Sequence, residues 1–411
     1  MPSSTTGRDG ADGVALPVPA RLLVLAIFLV ALNLRAALAS LPPLVHTIQA
    51  DLGLSSATAG LLTTLPVLCM GLFAPVSQRL AHTIGREATV GVAVGLLLAG
   101  LLLRLAASVL PVLFLTTLLA GIGIALCGTV LPGIVKEFFA NRPGIVTGVY
   151  LVAMMVGATA ASALAVPLAE ALGSWQRSLA SWAVLAVVAL VAWVPVMRAV
   201  NDHAEPAEPG VMRAALPWRS RTAWLLAAYL ALQSFGFYSQ LAWISPSYEE
   251  RGWSAGDAGL LLAVWSIVQL VSGLGAPVLA DRFRDRRPLV AASVGVGLAG
   301  LLGVILAPDA APILWIALMG LGQGGGFSLG LVKLVDYAPT PAASARLSAL
   351  AFLISYSTAS LGPLLFGVLH DVTDSFTLPY TVLAGVLVVQ LMLVPRLRPG
   401  RLTEPVAEVV H

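Results

Sequence analysis

Arg35 is the residue whose chemistry most needs an explanation, because it stands inside an apolar run that begins near Leu22 and ends near Leu44. At about 1.5 Å of rise per residue, a helix over this run places the guanidinium near or just beyond the middle of a bilayer. An arginine at that depth costs about 2.5–3.5 kcal/mol of insertion free energy. We therefore expect Arg35 to face a wet cavity and to pair either with a carboxylate on a neighbouring helix or with an anionic substrate.

Acidic residues offer no partner at that depth. Away from their ends the apolar runs contain no Asp or Glu, and those that exist lie at the edges. A buried arginine needs an anion, and a planar carboxylate or a cyanate-like group could supply it through a bidentate contact. The same absence removes the usual intramembrane proton relay. A coupled proton would travel with the substrate or on His46 or His370, and facilitated diffusion or anion exchange is equally compatible with the sequence.

Polar and aromatic side chains on other runs are candidates for the same cavity. Asn33 lies about 200° around the helix from Arg35, and we assign it first to an interhelical hydrogen bond. The others form helical stripes, which are typical either of packing or of a pocket with a few polar groups on apolar walls. With Arg35 and Asn33, the candidates for substrate contact are Gln233, Phe237, Tyr238, Gln240, Trp265, Gln269, Gln323 and Tyr356.

A second set of charged residues is expected to act in gating. The only lysines, Lys136 and Lys333, each end a Gly-x-Val-Lys sequence, which fits either a cytoplasmic gate or lysines that snorkel to the interface. Arg104 ends the third apolar run, where it is either an interface anchor or an anion-attracting residue at the outer mouth. Asp281 and Arg282 follow the eighth run and complete this set.

Composition assigns the chain to the membrane-protein class. Of 411 residues, 58% are hydrophobic and only 10% are charged, against about 25% charged in soluble domains. The net charge of +3 needs no nucleic-acid partner, since cytoplasmic loops account for the excess. The two cysteines, Cys69 and Cys127, lie inside apolar runs and do not have metal-ligand spacing. We expect no cofactor, no metal and no enzymatic activity.

Twelve runs are long enough to span a bilayer, so we predict an all-α membrane protein of two six-helix, pseudo-symmetric halves. The predicted spans are 21–45, 58–82, 88–106, 112–138, 143–169, 178–198, 220–246, 256–280, 288–307, 311–335, 343–369 and 377–396. The predicted organisation is a cytoplasmic tail (1–20), an N-terminal half (21–198), a cytoplasmic linker (199–218), a C-terminal half (219–397) and a cytoplasmic tail (398–411).

The basic residues predict the orientation. With both termini in the cytoplasm, nineteen of the 23 Lys and Arg residues fall on the inner side and three, Arg104, Arg177 and Arg251, on the outer side. Only Arg35 is left unassigned. We expect the inner membrane of a bacterial cell as the location.

Short matches about 200 residues apart link the halves, as in transporters built from repeats. Ala74-Pro75-Val76 matches Ala276-Pro277-Val278, and Gly133-Ile134-Val135-Lys136 matches Gly330-Leu331-Val332-Lys333. Six plus six spans, a central linker and basic 2–3 and 8–9 loops resemble the major facilitator superfamily. The resemblance extends to the cyanate transporter (CynX/NimT) family through four stretches. These are Asn33-Leu34-Arg35, Leu131 to Lys136, Leu232 to Phe235 with Phe237-Tyr238, and Gly322 to Gly325.

The resemblance implies a secondary carrier, acting as a monomer, for small compounds such as cyanate-like anions or nitroimidazoles. We predict a transporter that moves a small anionic solute, cyanate-like or a small carboxylate, by alternating access, with Arg35 binding the anion. The expected partners are this solute, the lipid bilayer and, as a further candidate, a proton. One alternative is an exporter of neutral aromatic compounds with Arg35 structural, and a remote one is a polytopic membrane enzyme or sensor.

Overall fold

The computed structural model describes residues 18–139, 143–201, 216–337 and 341–397. Most of both predicted tails and the middle of the predicted linker 199–218 lie outside these ranges, so the domain boundaries stay predictions. Throughout the described ranges the regular secondary structure is helical. We call α1–α9 the N-terminal half and α10–α16 the C-terminal half.

The helices follow the apolar runs. Those of the N-terminal half are α1 (Ala20–Ala39), α2 (Val45–Leu52), α3 (Ser56–Leu72), α4 (Ala74–Ile84), α5 (Arg86–Leu103), α6 (Leu110–Phe138), α7 (Pro143–Leu172), α8 (Trp175–Ser181) and α9 (Ala183–Asn201). Those of the C-terminal half are α10 (Arg221–Glu249), α11 (Ala255–Ala280), α12 (Arg287–Leu306), α13 (Pro312–Asp336), α14 (Pro341–Ala359), α15 (Leu361–Thr373) and α16 (Thr377–Leu393).

Length and composition qualify ten helical segments of the described chain as membrane spans, and α3 with α4 adds an eleventh that bends by 54°. The predicted seventh span is α10, which has 29 residues and is therefore long enough to cross a bilayer. Its lower hydropathy comes from Gln, Ser and Tyr residues that are buried inside the protein and not exposed to lipid. The twelve predicted spans thus all correspond to helical segments.

Four spans that the sequence predicted as single segments are broken. The breaks follow Ala39 at the end of α1 and fall at Phe73 between α3 and α4, at Trp182 between α8 and α9, and at Ser360 between α14 and α15. At three of them a proline lies within three residues after the break: Pro42, Pro75 and Pro363. A proline ring clashes with the preceding helical turn and lacks an N–H, so a new helix begins there more easily than the old one continues.

Two sets of helices carry the contact between the halves. α3 packs against α14 and α15, and α7 packs against α11. Gly60 on α3 approaches α15 so closely that a Cβ at this position would lie 2.5 Å from the Pro363 carbonyl oxygen. Small residues at such contacts let helix backbones meet, as in other membrane bundles.

Candidate functional site

A cavity of about 140 Å³ lies between the two halves. Helices α1 and α7 of the N-terminal half and α10, α11, α13 and α14 of the C-terminal half contribute its walls. Six of the ten predicted contact residues line it: Arg35, Phe237, Tyr238, Gln269, Gln323 and Tyr356. The rest of the lining is mostly Leu, Met, Phe and Gly, so a few polar groups stand on apolar walls.

Arg35 carries the charge of this cavity. Its Cζ atom lies 4.7 Å from the ring centroid of Phe237 and 5.9 Å from that of Tyr238. Its Nε and NH1 atoms are buried without a hydrogen-bond partner, and no carboxylate of the described residues pairs with it. Cation–π contacts of this kind contribute about 0.5–2 kcal/mol, which does not replace a counter-ion. The guanidinium can therefore donate to an anion from Nε or NH1.

Three tyrosines lie on the helices around the guanidinium. Tyr238 on α10 and Tyr356 on α14 line the same cavity as Arg35, and Tyr150 lies on α7, which contributes another part of its wall. The Tyr238 hydroxyl lies 3.5 Å from the Met70 sulfur of α3, across the boundary between the halves. Sequence reasoning missed Tyr150, although its spacing of four residues from the cavity residue Met154 places both on one face of α7.

Three of the remaining candidates belong to a layer behind the cavity, which corrects their prediction as substrate contacts. The Gln233 amide donates to the Gln323 carbonyl and side-chain oxygens at 2.9 Å each, and it accepts from Gln390 at 2.6 Å. Gln240 accepts a hydrogen bond of 2.9 Å from the Trp265 indole. These amides are used within the protein, so Gln233 positions Gln323 and does not itself line the cavity.

Asn33 is the fourth candidate that the structure does not bring to the cavity. Its amide donates to the Leu29 carbonyl at 2.8 Å and to the Leu185 carbonyl of α9 at 3.1 Å. This is the interhelical hydrogen bond to which the sequence first assigned it. This placement gives no support to a direct substrate contact for Asn33, because its side chain bonds to α9 and does not line the cavity.

The glycine-rich stretch of α13 allows a close approach between helices beside the site. A Cβ at Gly324 would collide with the backbone oxygen of Gln269 on α11, so only glycine fits there. This contact brings α11 and α13 together along the cavity wall. Gln269 and Gln323 consequently present their amides to the same space.

Contacts between the halves close the predicted outer end. Asp371 at the end of α15 accepts hydrogen bonds from the backbone N–H groups of Ser56 (2.7 Å) and Ala57 (2.8 Å) in the first turn of α3. A carboxylate at a helix N-terminus is favourable because it meets unpaired N–H groups and the positive end of the dipole. His46 of the N-terminal half also lies 3.5 Å from Glu249 of the C-terminal half.

At the predicted cytoplasmic end, the ion pairs among the described residues connect residues of the same half. Arg86 pairs with Glu137, and Arg286 contacts Asp336 through two hydrogen bonds of 2.6 and 2.8 Å. Arg286 also lies 3.2 Å from Asp281, one of the predicted gating residues. These pairs can stay intact when the halves move against each other.

The other predicted gating residues have different environments. The Lys333 side chain is only 3% exposed and lies 3.7 Å from Asp336, which argues against a lysine that snorkels to the interface. Arg282 is exposed, and Lys136 is on α6 with a side chain outside the description. Arg104 is 2% exposed, and its side chain lies among residues of the N-terminal half, which argues against an interface anchor.

The loop between α11 and α12 holds one strongly perturbed carboxyl group. Hydrogen bonds from the Arg287 side chain and backbone N–H lower the pKa of Asp285 to about 2. The pair therefore stays ionised at every physiological pH, and it fixes the turn that leads into α12. It is a structural feature of the loop, remote from the cavity.

Helices that cross a bilayer around a central cavity, closed at one end by contacts between two halves, define a polytopic transporter rather than an enzyme. Within the described residues, no group of three or more His, Cys, Asp or Glu side chains could hold a metal ion. The chain belongs to the Major Facilitator Superfamily, whose sequence profile matches residues 23–309 and again 229–409.

Two relatives from Escherichia coli (strain K12) cover almost the whole chain. The cyanate transport protein CynX is 32% identical over 381 residues, which are 92% of this chain and 98% of the relative. The 2-nitroimidazole transporter is 31% identical over 372 residues, or 90% and 93% of the two chains. A crystal structure of the nucleoside transporter NupG aligns with a TM-score of 0.74 at 12% identity, covering 91% of this chain and 99% of that one, and it shows the shared fold.

Proposed function

We propose that this protein moves a small organic or inorganic anion across the inner membrane of a bacterial cell by alternating access, and that Arg35 binds the anion. The observation that carries the proposal is that Arg35 lines a cavity while its Nε and NH1 atoms are buried without a hydrogen-bond partner, and no carboxylate of the described residues pairs with it. An unpaired buried charge is costly, and a transported anion offsets that cost only while it is bound.

The size of the cavity limits the substrate. Its volume of about 140 Å³ is close to the roughly 150 Å³ of an engineered apolar cavity that holds benzene. Cyanate and short carboxylates fit easily, and one planar ring that carries an anionic group is about the upper limit. The name of one relative refers to cyanate and that of another to 2-nitroimidazole, so both small anions and small rings belong in a first screen.

A second candidate function is export of neutral aromatic compounds. It is favoured by the aromatic wall, in which the ring centroids of Phe237 and Tyr238 are 4.8 Å apart and Phe237 lies under the Arg35 guanidinium. In that case Arg35 would be a fixed part of the wall, held by its cation–π contacts. The unpaired N–H groups of Arg35 favour the anion proposal over this one.

Transport in reconstituted liposomes separates the two candidates. Labelled cyanate, acetate, benzoate and 2-nitroimidazole would each be offered to wild type and to Arg35→Gln, with and without a pH gradient. The anion proposal expects saturable uptake of at least one anion that Arg35→Gln abolishes. Anion uptake that survives the loss of Arg35 would refute its role, whereas transport of nitroimidazole alone, equal in both proteins, would favour the second candidate. Uptake that is stimulated by acid and does not depend on membrane potential would indicate electroneutral cotransport of a monovalent anion with one proton.

A further inference from the structure

Arg104 is a second buried arginine that the transport proposal leaves unused. It is the C-cap residue of α5, and its side chain is buried inside the N-terminal half. Its Nε and NH1 atoms have no hydrogen-bond partner, and no ion pair joins it to the described residues. Among the described residues, no aromatic ring packs against the Arg104 guanidinium as Phe237 packs against that of Arg35.

The Arg104 guanidinium borders a small cavity of about 10 Å³ between α1, α3 and α6. Besides Arg104, the one polar side chain that lines it is Thr63, which is itself 4% exposed. A space of this size accommodates roughly one water-sized particle. The lining shares no residue with the central cavity, so the two spaces are separate.

A guanidinium in such surroundings requires compensation. Transfer of a charge out of water is strongly unfavourable unless it is paired. The negative end of the α5 dipole, where Arg104 sits, offsets part of this cost, but the lining supplies no carboxylate. The Arg104 N–H groups and the Thr63 hydroxyl are hydrogen-bond donors, and together they suit a single small anion.

We propose that Arg104 and Thr63 hold a monatomic anion of the size of chloride, in a site distinct from the central cavity. The cavity of about 10 Å³ is too small for a carboxylate or a ring. The positive charge of Arg104 favours an anion over a neutral water molecule in this space. Such an anion neutralises Arg104 and ties α5 to α1, α3 and α6. Its consequence is chloride-dependent stability of the N-terminal half, independent of which solute the protein transports.

Thermal unfolding of the purified full-length protein in detergent tests this site. The protein is first exchanged into gluconate buffer, and chloride or bromide then replaces gluconate at constant ionic strength. Wild type should show a saturable rise of the unfolding midpoint by about 2–4 °C, because an anion that binds only the folded state stabilises it by mass action. Thr63→Val removes one hydrogen bond and should raise the half-saturating chloride concentration about tenfold.

Charge variants assign the effect to one arginine. Arg104→Gln should lose the saturable response, whereas Arg177→Gln, which removes an exposed arginine predicted on the same side, should keep it. A wild type that does not respond to chloride would overturn the proposal without any variant, and so would a response that survives in Arg104→Gln. A response that disappears in Arg35→Gln but persists in Arg104→Gln would place the anion in the central cavity and would equally overturn it.

Discussion

Replacement of Arg35 by glutamine should weaken transport and stabilise the protein at the same time. Transport weakens because the variant loses charge-assisted hydrogen bonds to the anion, each worth about 1.5–3 kcal/mol. At about 1.4 kcal/mol per factor of ten, one such contact corresponds to a rise in KM of roughly 10–150-fold. The buried Nε and NH1 atoms of Arg35 have no hydrogen-bond partner, so they are available for such a contact.

Stability moves the other way because Arg35 is unpaired in the empty protein. Its position costs about 2.5–3.5 kcal/mol on insertion scales. The cation–π contact with Phe237 at 4.7 Å offsets about 0.5–2 kcal/mol of this cost. Removal of the charge should therefore leave a net gain of about 0.5–3 kcal/mol, measured as a higher thermal midpoint of the substrate-free protein in detergent.

A matched variant and a substrate titration complete this experiment. Arg35→Lys keeps the charge but not the planar fork, so it should recover part of the transport and none of the added stability. A transported anion should raise the midpoint of wild type and not that of Arg35→Gln. If Arg35→Gln is less stable than wild type and transports normally, Arg35 is a structural residue and the reasoning from its missing partner fails.

Three further predictions concern the contacts around the cavity. Asp371→Asn removes the charge that caps the first turn of α3, which should weaken the contact between the halves at the predicted outer end by about 0.5–2 kcal/mol. A cysteine introduced at that end should then be labelled faster, and unchanged labelling would contradict the closure. Gly324→Ala should lower stability by about 1–3 kcal/mol, whereas Gly275→Ala on α11, with nothing within 4 Å of the added Cβ, should not. Phe237→Leu should weaken binding of an aromatic anion more than that of cyanate in the liposome assay, and equal losses would argue against stacking.

The sequence was sufficient to predict the helical architecture because its signals are local. Long apolar runs required helices, since only internal hydrogen bonding satisfies the backbone in a bilayer. The basic loops and short repeats indicated two halves and a superfamily. What these signals lacked was the position of the breaks, because a proline near a span end fits both a continuous and an interrupted helix.

The candidate site was predicted in part, and its errors have one cause. Helical periodicity placed Arg35, Phe237 and Tyr238 on faces that turned out to share a cavity. Periodicity cannot tell whether a buried amide faces the cavity or another amide, and Gln233 and Gln240 turned out to be hydrogen bonded within the protein. The orientation of each amide depends on a hydrogen-bond partner that is 25 or more residues away along the sequence.

The polar character of α10 connects the fold to the proposed function. This helix supplies Ser234, Phe237 and Tyr238 to the cavity wall, and its polar face is buried against other helices. A helix that lined only lipid would gain from more leucine and fewer amides. The lower hydropathy of α10 therefore reflects both its amide hydrogen bonds to other helices and the side chains that it contributes to the cavity wall. Because Arg35 belongs to the N-terminal half and these residues to the C-terminal half, an anion held between them contacts both halves. Such an anion can favour one arrangement of the halves over another, and alternating access requires that difference in affinity.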